Sequence, residues 1–180
     1  MSFDLFKKYL EEHGWEKKND EYDELGWTKE LNGLKIRLSD GLYKFQSGIL
    51  MDAFCSVTTE SFTNYGYQIG SNFRDHFSIR STRIDLPIEG QWDSFAKCVH
   101  EIESWAGSVE IDAEMDAFES YPTSVPGSGP IKHLTVLALR KRASVLIEYK
   151  KAFESGDRLG FVNYINIDAI NRAYYLSLQI

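Results

Sequence analysis

The sequence predicts an α+β protein. We expect one helix, then an antiparallel meander of five or six strands over about residues 27–86, covered by a C-terminal block of helices. Three observations support this prediction. Apolar and polar residues alternate in much of the first half, which is typical of half-buried strands. After Pro87 the apolar residues recur at helical spacing instead. Strands grouped first and helices later favour α+β over alternating βαβ units.

The chain is predicted to open with a short helix. Ser2 is a suitable N-cap and Gly14 a suitable stop. Between them, apolar residues recur on one helical face at Phe3, Phe6 and Leu10. The polar residues 15–25 that follow are predicted to form a solvated connector.

A β-hairpin is the clearest local prediction in the middle of the chain. Asn32-Gly33 separates the extended runs Trp27–Leu31 and Leu34–Leu38, and both central residues of such a turn need positive φ. Ser39-Asp40-Gly41 predicts the next turn. Further extended runs are predicted at Leu42–Gln46, Ile49–Thr58, Tyr65–Ile69 and about His76–Leu86.

Helices are predicted after Pro87. The first carries an apolar stripe made of Trp92, Phe95, Ala96, Val99, Ile102, Trp105 and Ala106, and Gly107 ends it. A short helix over Asp112–Glu119 comes next, followed by a loop or hinge rich in proline and glycine at residues 122–130.

The last third is predicted to contain two more helices. A long one runs from Ile131 to about Glu154 and ends at Gly156. A final one lies near Ala169–Leu178, with Asp168 placed to cap it.

The size and composition fit one ordinary domain. At 180 residues, the whole chain 1–180 is predicted to be a single domain. Cys55 and Cys98 form no CxxC pair and the four histidines are scattered, so we expect buried thiols and predict neither a disulfide nor a metal site. The first residues contain no apolar h-region and no small-residue cleavage site, so no secretory signal is predicted, and the apolar runs are too short to span a bilayer. The sequence therefore predicts a cytoplasmic protein without a membrane partner.

Charge is distributed unevenly along the chain. The net charge is −7, yet residues 131–180 carry eight Lys/Arg and only four Asp/Glu. The stretch Asp85–Glu119 contains ten carboxylates and one basic residue, Lys97. One interpretation is the wet side of a surface helix; the other is a landing site for a basic protein. The predicted partner-binding residues are Asp93, Glu101, Glu103, Glu110, Asp112, Glu114 and Asp116. Such a charge repels phosphates, so no nucleic-acid partner is predicted.

The sequence contains no recognisable catalytic motif. It has no P-loop, no GxSxG elbow and no HExxH, so we predict no catalytic residue, no cofactor and no enzymatic activity. Two weaker constellations remain open. His100 and Glu103 lie one turn apart on a helix, and the cluster Arg74, His76, Arg80 and Arg83 could hold an anion. The basic run Arg140-Lys141-Arg142, with Lys150-Lys151, is expected to face solvent and could pair with the acidic part of the same chain.

In character the chain resembles bacterial toxin-immunity proteins, such as those of contact-dependent growth inhibition systems. The resemblance lies in its small size, its α+β class and the acidic stretch Asp85–Glu119, and not in a sequence motif. It implies a protein that binds a cognate, basic toxin domain and neutralises it by occluding the active site.

Two alternative functions stay open. The chain also resembles type III secretion chaperones, which are small, acidic and α+β and begin with a helix; such a chaperone would be dimeric and would bind an effector. A small-molecule-binding protein or an enzyme would instead use His76 with Arg80, or His100 with Glu103. The sequence leaves the oligomeric state open.

Overall fold

A computed structural model describes residues 2–19, 25–45, 48–71, 77–86 and 92–179. Within these ranges the secondary structure runs, in chain order, α1 (Ser2–Glu12), β1 (Glu16–Asn19), β2 (Leu25–Leu31), β3 (Leu34–Phe45), β4 (Gly48–Thr58), α2 (Glu60–Ile69), β5 (Arg80–Leu86), α3 (Trp92–Gly107), α4 (Ile111–Glu119), α5 (Gly129–Leu139), α6 (Ala143–Glu154) and α7 (Ile167–Ser177). The predicted α+β class is confirmed: a helix first, an antiparallel sheet, then a block of helices.

The chain divides into two units. Unit 1 comprises Met1–Thr59 and Arg80–Val109, and unit 2 comprises Glu60–Ile79 and Glu110–Ile180. Unit 1 therefore contains α1, the sheet and α3, whereas unit 2 contains α2 and the four C-terminal helices. A single domain over residues 1–180 stays a prediction.

In the described residues the sheet of unit 1 has five strands in the order β1-β2-β3-β4-β5, all antiparallel. Its first full hairpin is the predicted one, because Asn32 and Gly33 adopt φ angles of 51° and 80° and Leu31 pairs with Leu34. The predicted helix α1 is also confirmed. It ends with Gly14 at φ 78°, where the Trp15 N–H donates to the Leu10 carbonyl at 3.0 Å.

The core of unit 1 lies between the two helices and one face of the sheet. Paired positions on that face carry Trp27, Leu38 and Cys55 on three neighbouring strands, all buried. The apolar sides of α1 and α3 pack against them. The predicted stripe of α3 is buried at Phe95, Val99, Ile102 and Ala106, with Ala96 and Trp105 half-buried. Trp92 is the exception, since it is 42% exposed at the first position of the helix.

A connector prediction and a turn prediction in unit 1 were wrong, because both segments contain strand. Residues 15–25 are not only a connector, because Glu16–Asn19 form β1, which pairs with β2. Their Glu-Lys-Lys sequence lacks apolar alternation, as is common for edge strands that avoid further pairing. Ser39-Asp40-Gly41 is not a turn but continues β3, where Ser39 pairs with Phe54 and Gly41 with Asp52. Pairing with a long partner strand outweighs the local turn preference.

The segment Tyr65–Ile69 is helical rather than extended. It forms the end of α2, in which Phe62, Gly66 and Ile69 are buried at helical spacing. Its tyrosines are half-buried beside the core of unit 2. Aromatic residues favour strands only when a pleated, half-buried surface receives them. The expected strand near His76–Leu86 appears as β5, while His76 itself lies outside the described residues.

The predicted long helix of unit 2 is two helices. α5 ends at Leu139 and α6 begins at Ala143, and Lys141 lies between them with a φ of 55°. The Arg142 N–H donates to the Leu137 carbonyl at 2.8 Å and the Lys141 N–H to the Ala138 carbonyl at 3.0 Å. This is the hydrogen-bond pattern of a Schellman helix end, here without the glycine that usually signals it.

The remaining termini of unit 2 agree with the sequence apart from one cap. α6 ends before Gly156, whose φ is 89°. The last helix, α7, is capped by Asn166 and not by Asp168, because the Asn166 side chain accepts a hydrogen bond from the Ala169 N–H at 3.0 Å. Asp168 instead lies in the first turn, where its charge favours the helix dipole.

Candidate partner-binding surface

The acidic residues singled out from the sequence belong to both units. Asp93, Glu101 and Glu103 are on α3 of unit 1, whereas the other four are on α4 or immediately before it, in unit 2. Glu89, which belongs to the same acidic stretch, lies outside the described residues.

The α3 set is only partly available to a partner. Asp93 and Glu101 are exposed, as expected from their position opposite the buried stripe, but the exposed Lys97 lies between them. The Glu103 carboxylate is only 25% exposed and forms an ion pair with Lys29 at 2.8 Å. Lys29 also donates to the His13 carbonyl at 3.0 Å. Glu103 therefore helps to hold α3 to β2.

The α4 set forms the clearest acidic surface. Ile111, Met115 and Phe118 face the interior at helical spacing, so the other side of the helix faces solvent. On that side Glu110 and Asp112 are exposed, and the Asp116 side chain is 71% exposed. Glu114 is half-buried, and the helix itself contains no basic residue. We call Glu110, Asp112 and Asp116 the α4 acidic surface.

The C-terminal end of α4 is neutralised from within unit 2. Arg140 forms ion pairs with Asp116 at 2.6 Å and with Glu119 at 2.5 Å, and the Arg142 Nε lies 2.9 Å from Glu119. These guanidinium groups lower the pKa of Glu119. In the described ranges no ion pair involves Glu110 or Asp112. The C-terminal end of α4 is therefore paired with arginines, whereas the carboxylates at its N-terminal end have no ion-pair partner and face only the helix dipole. The basic run does pair with acidic residues, as the sequence allowed.

The two weaker constellations do not come together as sites in the described residues. The His100 Nε2 lies 3.5 Å from the Ser104 hydroxyl, whereas the Glu103 carboxylate forms an ion pair with Lys29. Arg80 and Arg83 are on opposite faces of β5, and Arg74 and His76 lie outside the described residues. No group of three or more potential metal-ligating residues occurs in the part of the chain that the structure describes.

Both cysteines are buried free thiols, as predicted. Burial raises the pKa of Cys55 to about 12 and that of Cys98 to about 11. Both thiols therefore stay protonated near neutral pH and are unreactive in the folded protein.

A polar cavity of about 360 Å³ lies in unit 1, beside β1, β2 and β3. It is lined by Gly14, Glu16, Lys18, Thr28, Lys29, Glu30 and Lys35. Its charges largely offset one another, since Lys18 pairs with Glu16 at 2.6 Å and Lys29 with Glu103. Ion pairs within the chain thus leave the cavity with little excess charge to select a ligand.

One histidine that sequence reasoning did not single out links three helices of unit 2. His133 on α5 is 4% exposed, and its Nδ1 lies 3.0 Å from the Phe118 carbonyl at the end of α4. Nδ1 must therefore carry the proton, so Nε2 accepts a hydrogen bond from the Tyr149 hydroxyl of α6 at 3.2 Å. Burial lowers the pKa of His133. The only signal in the sequence was a histidine within an apolar helix.

This arrangement predicts that unit 2 loses stability in mild acid. His133 is neutral when folded, with a pKa below its ordinary value of 6.5. Below about pH 6.5 the unfolded chain binds the proton more readily, so the free energy of unfolding falls until the pH reaches the folded pKa. Urea unfolding between pH 8 and pH 5 measures this slope. His133→Gln should flatten the pH dependence of the free energy of unfolding, whereas His100→Gln, at an exposed histidine, should leave it unchanged. Equal slopes in the wild type and both variants would contradict the role given to His133.

The fold and this surface define a class: an α+β protein with an open antiparallel sheet and an exposed acidic helix. Residues 4–178 match DUF6990, a family of unknown function, and the chain belongs to this family. No curated protein matches the chain, and no solved structure matches it. None of the described helices has the length and apolar character needed to cross a lipid bilayer.

Proposed function

We propose that this protein is a cytoplasmic binding protein of the immunity type, which docks on a basic toxin domain and occludes its active site. The observation that carries the proposal is the α4 acidic surface. Glu110 and Asp112 are exposed at one end of a helix that contains no basic residue, and no ion pair of the described chain compensates them. Exposed carboxylates without an ion-pair partner attract cationic proteins and accelerate their association.

The arrangement within α4 supports recognition as well as long-range attraction. Ala113 and Ala117 are exposed on the helix between the acidic positions, so the backbone can approach a partner closely. Arg140 contacts α4 at the Asp112 carbonyl, Asp116 and Glu119, which holds the helix in place before a partner arrives. A preorganised charged surface loses less conformational entropy on binding than a flexible one.

Charge reversal on α4 tests the proposal. The partner to use is a purified basic domain that the wild-type protein captures from its native host, with association followed by biolayer interferometry. We expect Glu110→Lys with Asp112→Lys to slow association at least tenfold at low salt, because attraction becomes repulsion. We also expect the association rate of the wild-type protein to fall as the salt concentration rises, because the Debye length shortens. Co-expression in a toxin-sensitive strain should lose protection in the same variant.

Two matched variants locate the effect. Glu148→Lys with Asp168→Lys makes the same charge change at exposed carboxylates on α6 and α7 of unit 2 and should retain most of the rate. Asp93→Lys with Glu101→Lys tests α3 in the same assay. If all three double variants bound like the wild type, the acidic docking role would be wrong. A stable dimer that held an unfolded effector segment would favour the chaperone alternative instead.

A further inference from the structure

A single arginine of unit 2 pairs with two carboxylates of α4 that differ in exposure. The Arg140 Nη1 lies 2.6 Å from the Asp116 carboxylate and 2.5 Å from that of Glu119. The Asp116 side chain is 71% exposed, whereas that of Glu119 is 24% exposed. Glu119 also accepts a hydrogen bond from the Arg142 Nε at 2.9 Å. Among the described residues, Asp116 therefore pairs with one arginine in an exposed position and Glu119 with two in a more protected one.

The two ion pairs of Arg140 differ in how easily they break. Water and salt screen an exposed ion pair, so such a pair usually changes an equilibrium constant by about fivefold or less. Glu119 is less exposed, and the hydrogen bonds that it accepts from Arg140 and Arg142 lower its pKa. Arg140 can leave Asp116 and keep Glu119, so the guanidinium group does not lose its last ion-pair partner. The contact between Arg140 and Asp116 is therefore exchangeable.

Asp112 lies one helical turn before Asp116 on the same side of α4. Asp112 is exposed, and its carboxylate forms no ion pair with the described part of the chain. Arg140 contacts Asp112 at the main-chain carbonyl, which accepts a hydrogen bond from Nη2 at 3.3 Å. Carboxylates four residues apart on a helix are neighbours, so one guanidinium group from outside can bind both. The two aspartates thus form an exposed pair of which Arg140 neutralises one member.

We propose that Arg140 is an autoinhibitory contact: it occupies Asp116 in the free protein, and an arginine of the basic partner displaces it and binds Asp112 and Asp116 together. The inference rests on the proposed function. The internal pair itself identifies the ligand chemistry, because the Asp116 carboxylate already accepts a hydrogen bond from a guanidinium group. Arginine fits better than lysine, since its planar fork of donors can bond two carboxylates at once.

Two matched arginine variants test the autoinhibitory contact. Arg140→Gln and Arg142→Gln each remove one positive charge from the same group of ion pairs, but only Arg140 pairs with Asp116. The probe is a peptide of six arginines, titrated into the full chain at low salt and followed by NMR. We expect the Kd of the peptide to be about threefold lower for Arg140→Gln than for Arg142→Gln, because Asp116 becomes available. Equal Kd values in the two variants would overturn the inference.

Asp116→Asn tests the same contact while Arg140 keeps its pair with Glu119. The melting temperature should fall by less than about 4 °C, since only an exposed ion pair is lost. The Kd of the six-arginine peptide should rise about threefold, whereas Glu148→Gln, the same charge change at an exposed position of α6, should leave it within about twofold. Adding Arg140→Gln to Asp116→Asn should no longer tighten binding. If it tightened binding as much as in the wild type, Arg140 would act through net charge alone and the inference would be wrong.

The basic domain captured from the native host separates this inference from the proposed function. With that partner, the Kd should be about threefold lower for Arg140→Gln than for Arg142→Gln, as with the peptide. If reversing Glu110 and Asp112 left binding to the partner intact, the docking role would be wrong and this inference would fall with it. If that reversal weakened binding but Arg140→Gln and Arg142→Gln bound the partner equally, the docking role would stand and the autoinhibitory contact would be wrong.

Discussion

Replacing Phe95 with alanine should lower the free energy of unfolding of unit 1 by about 3–5 kcal/mol. Phe95 is 1% exposed on α3, and its ring centre lies 5.4 Å from that of Phe6 and 6.2 Å from that of Tyr9 on α1. The substitution would remove the group that joins both helices to the sheet core. Because the surrounding aromatic rings are large and rigid, we expect the cavity to collapse only partly.

Tryptophan fluorescence during urea unfolding measures this effect selectively. The four tryptophans, Trp15, Trp27, Trp92 and Trp105, all lie in unit 1. Lys97→Ala, at an exposed position on the same helix, serves as the control and should change stability by less than about 0.5 kcal/mol. A loss below about 1 kcal/mol in Phe95→Ala would mean that α3 does not pack on the sheet as described.

Replacing Gly66 with alanine should destabilise unit 2 by about 3 kcal/mol. A Cβ atom at Gly66 would lie 2.7 Å and 2.8 Å from two ring carbons of Phe77, closer than carbon atoms can approach. Phe77 is fully buried and packs edge-on against Tyr67, so its ring has no room to withdraw. Overpacking of this kind usually costs about 1–3 kcal/mol, and a rigid aromatic neighbour places the cost at the upper end.

Hydrogen exchange of α2 amides, followed by mass spectrometry, measures this loss in unit 2. Gly107→Ala is the matched control, because a Cβ atom there meets nothing within 4 Å at the end of α3. Adding Phe77→Leu to Gly66→Ala should restore part of the protection, since the smaller side chain makes room for the methyl group. Wild-type exchange in Gly66→Ala would disprove the close packing of α2 on Phe77.

Short-range chemistry explains the parts of the fold that were predicted correctly. Asn32-Gly33 forms its hairpin, and Gly14 and Gly156 end their helices, because positive φ at these positions depends on the residue itself and its immediate neighbours. The stripe of α3 was predicted because one helix face meets one core. The predicted burial of Trp92 as part of this stripe was wrong, because periodicity does not say where along a helix the core ends.

The parts that were missed depend on contacts between segments distant in the chain. β1 is a strand because β2 supplies its hydrogen-bond partners, although its own residues are charged. α2 buries Phe62, Gly66 and Ile69 in unit 2 at helical spacing, and Gly66 allows its close approach to Phe77. The turn at Lys141 has no glycine, and it is stabilised where Arg140 and Arg142 on either side of it meet Glu119.

The candidate surface shows the same division. The sequence by itself determined which residues are acidic, and it indicated correctly that Asp93 and Glu101 face solvent, because exposure follows from helical position relative to an apolar stripe. Only the tertiary structure decided that Glu103 is held by Lys29 and Glu119 by two arginines, and that His133 joins three helices. Ion pairs and buried hydrogen bonds act over a few ångströms between residues far apart in the chain, so the spacing of residues along one sequence does not encode them.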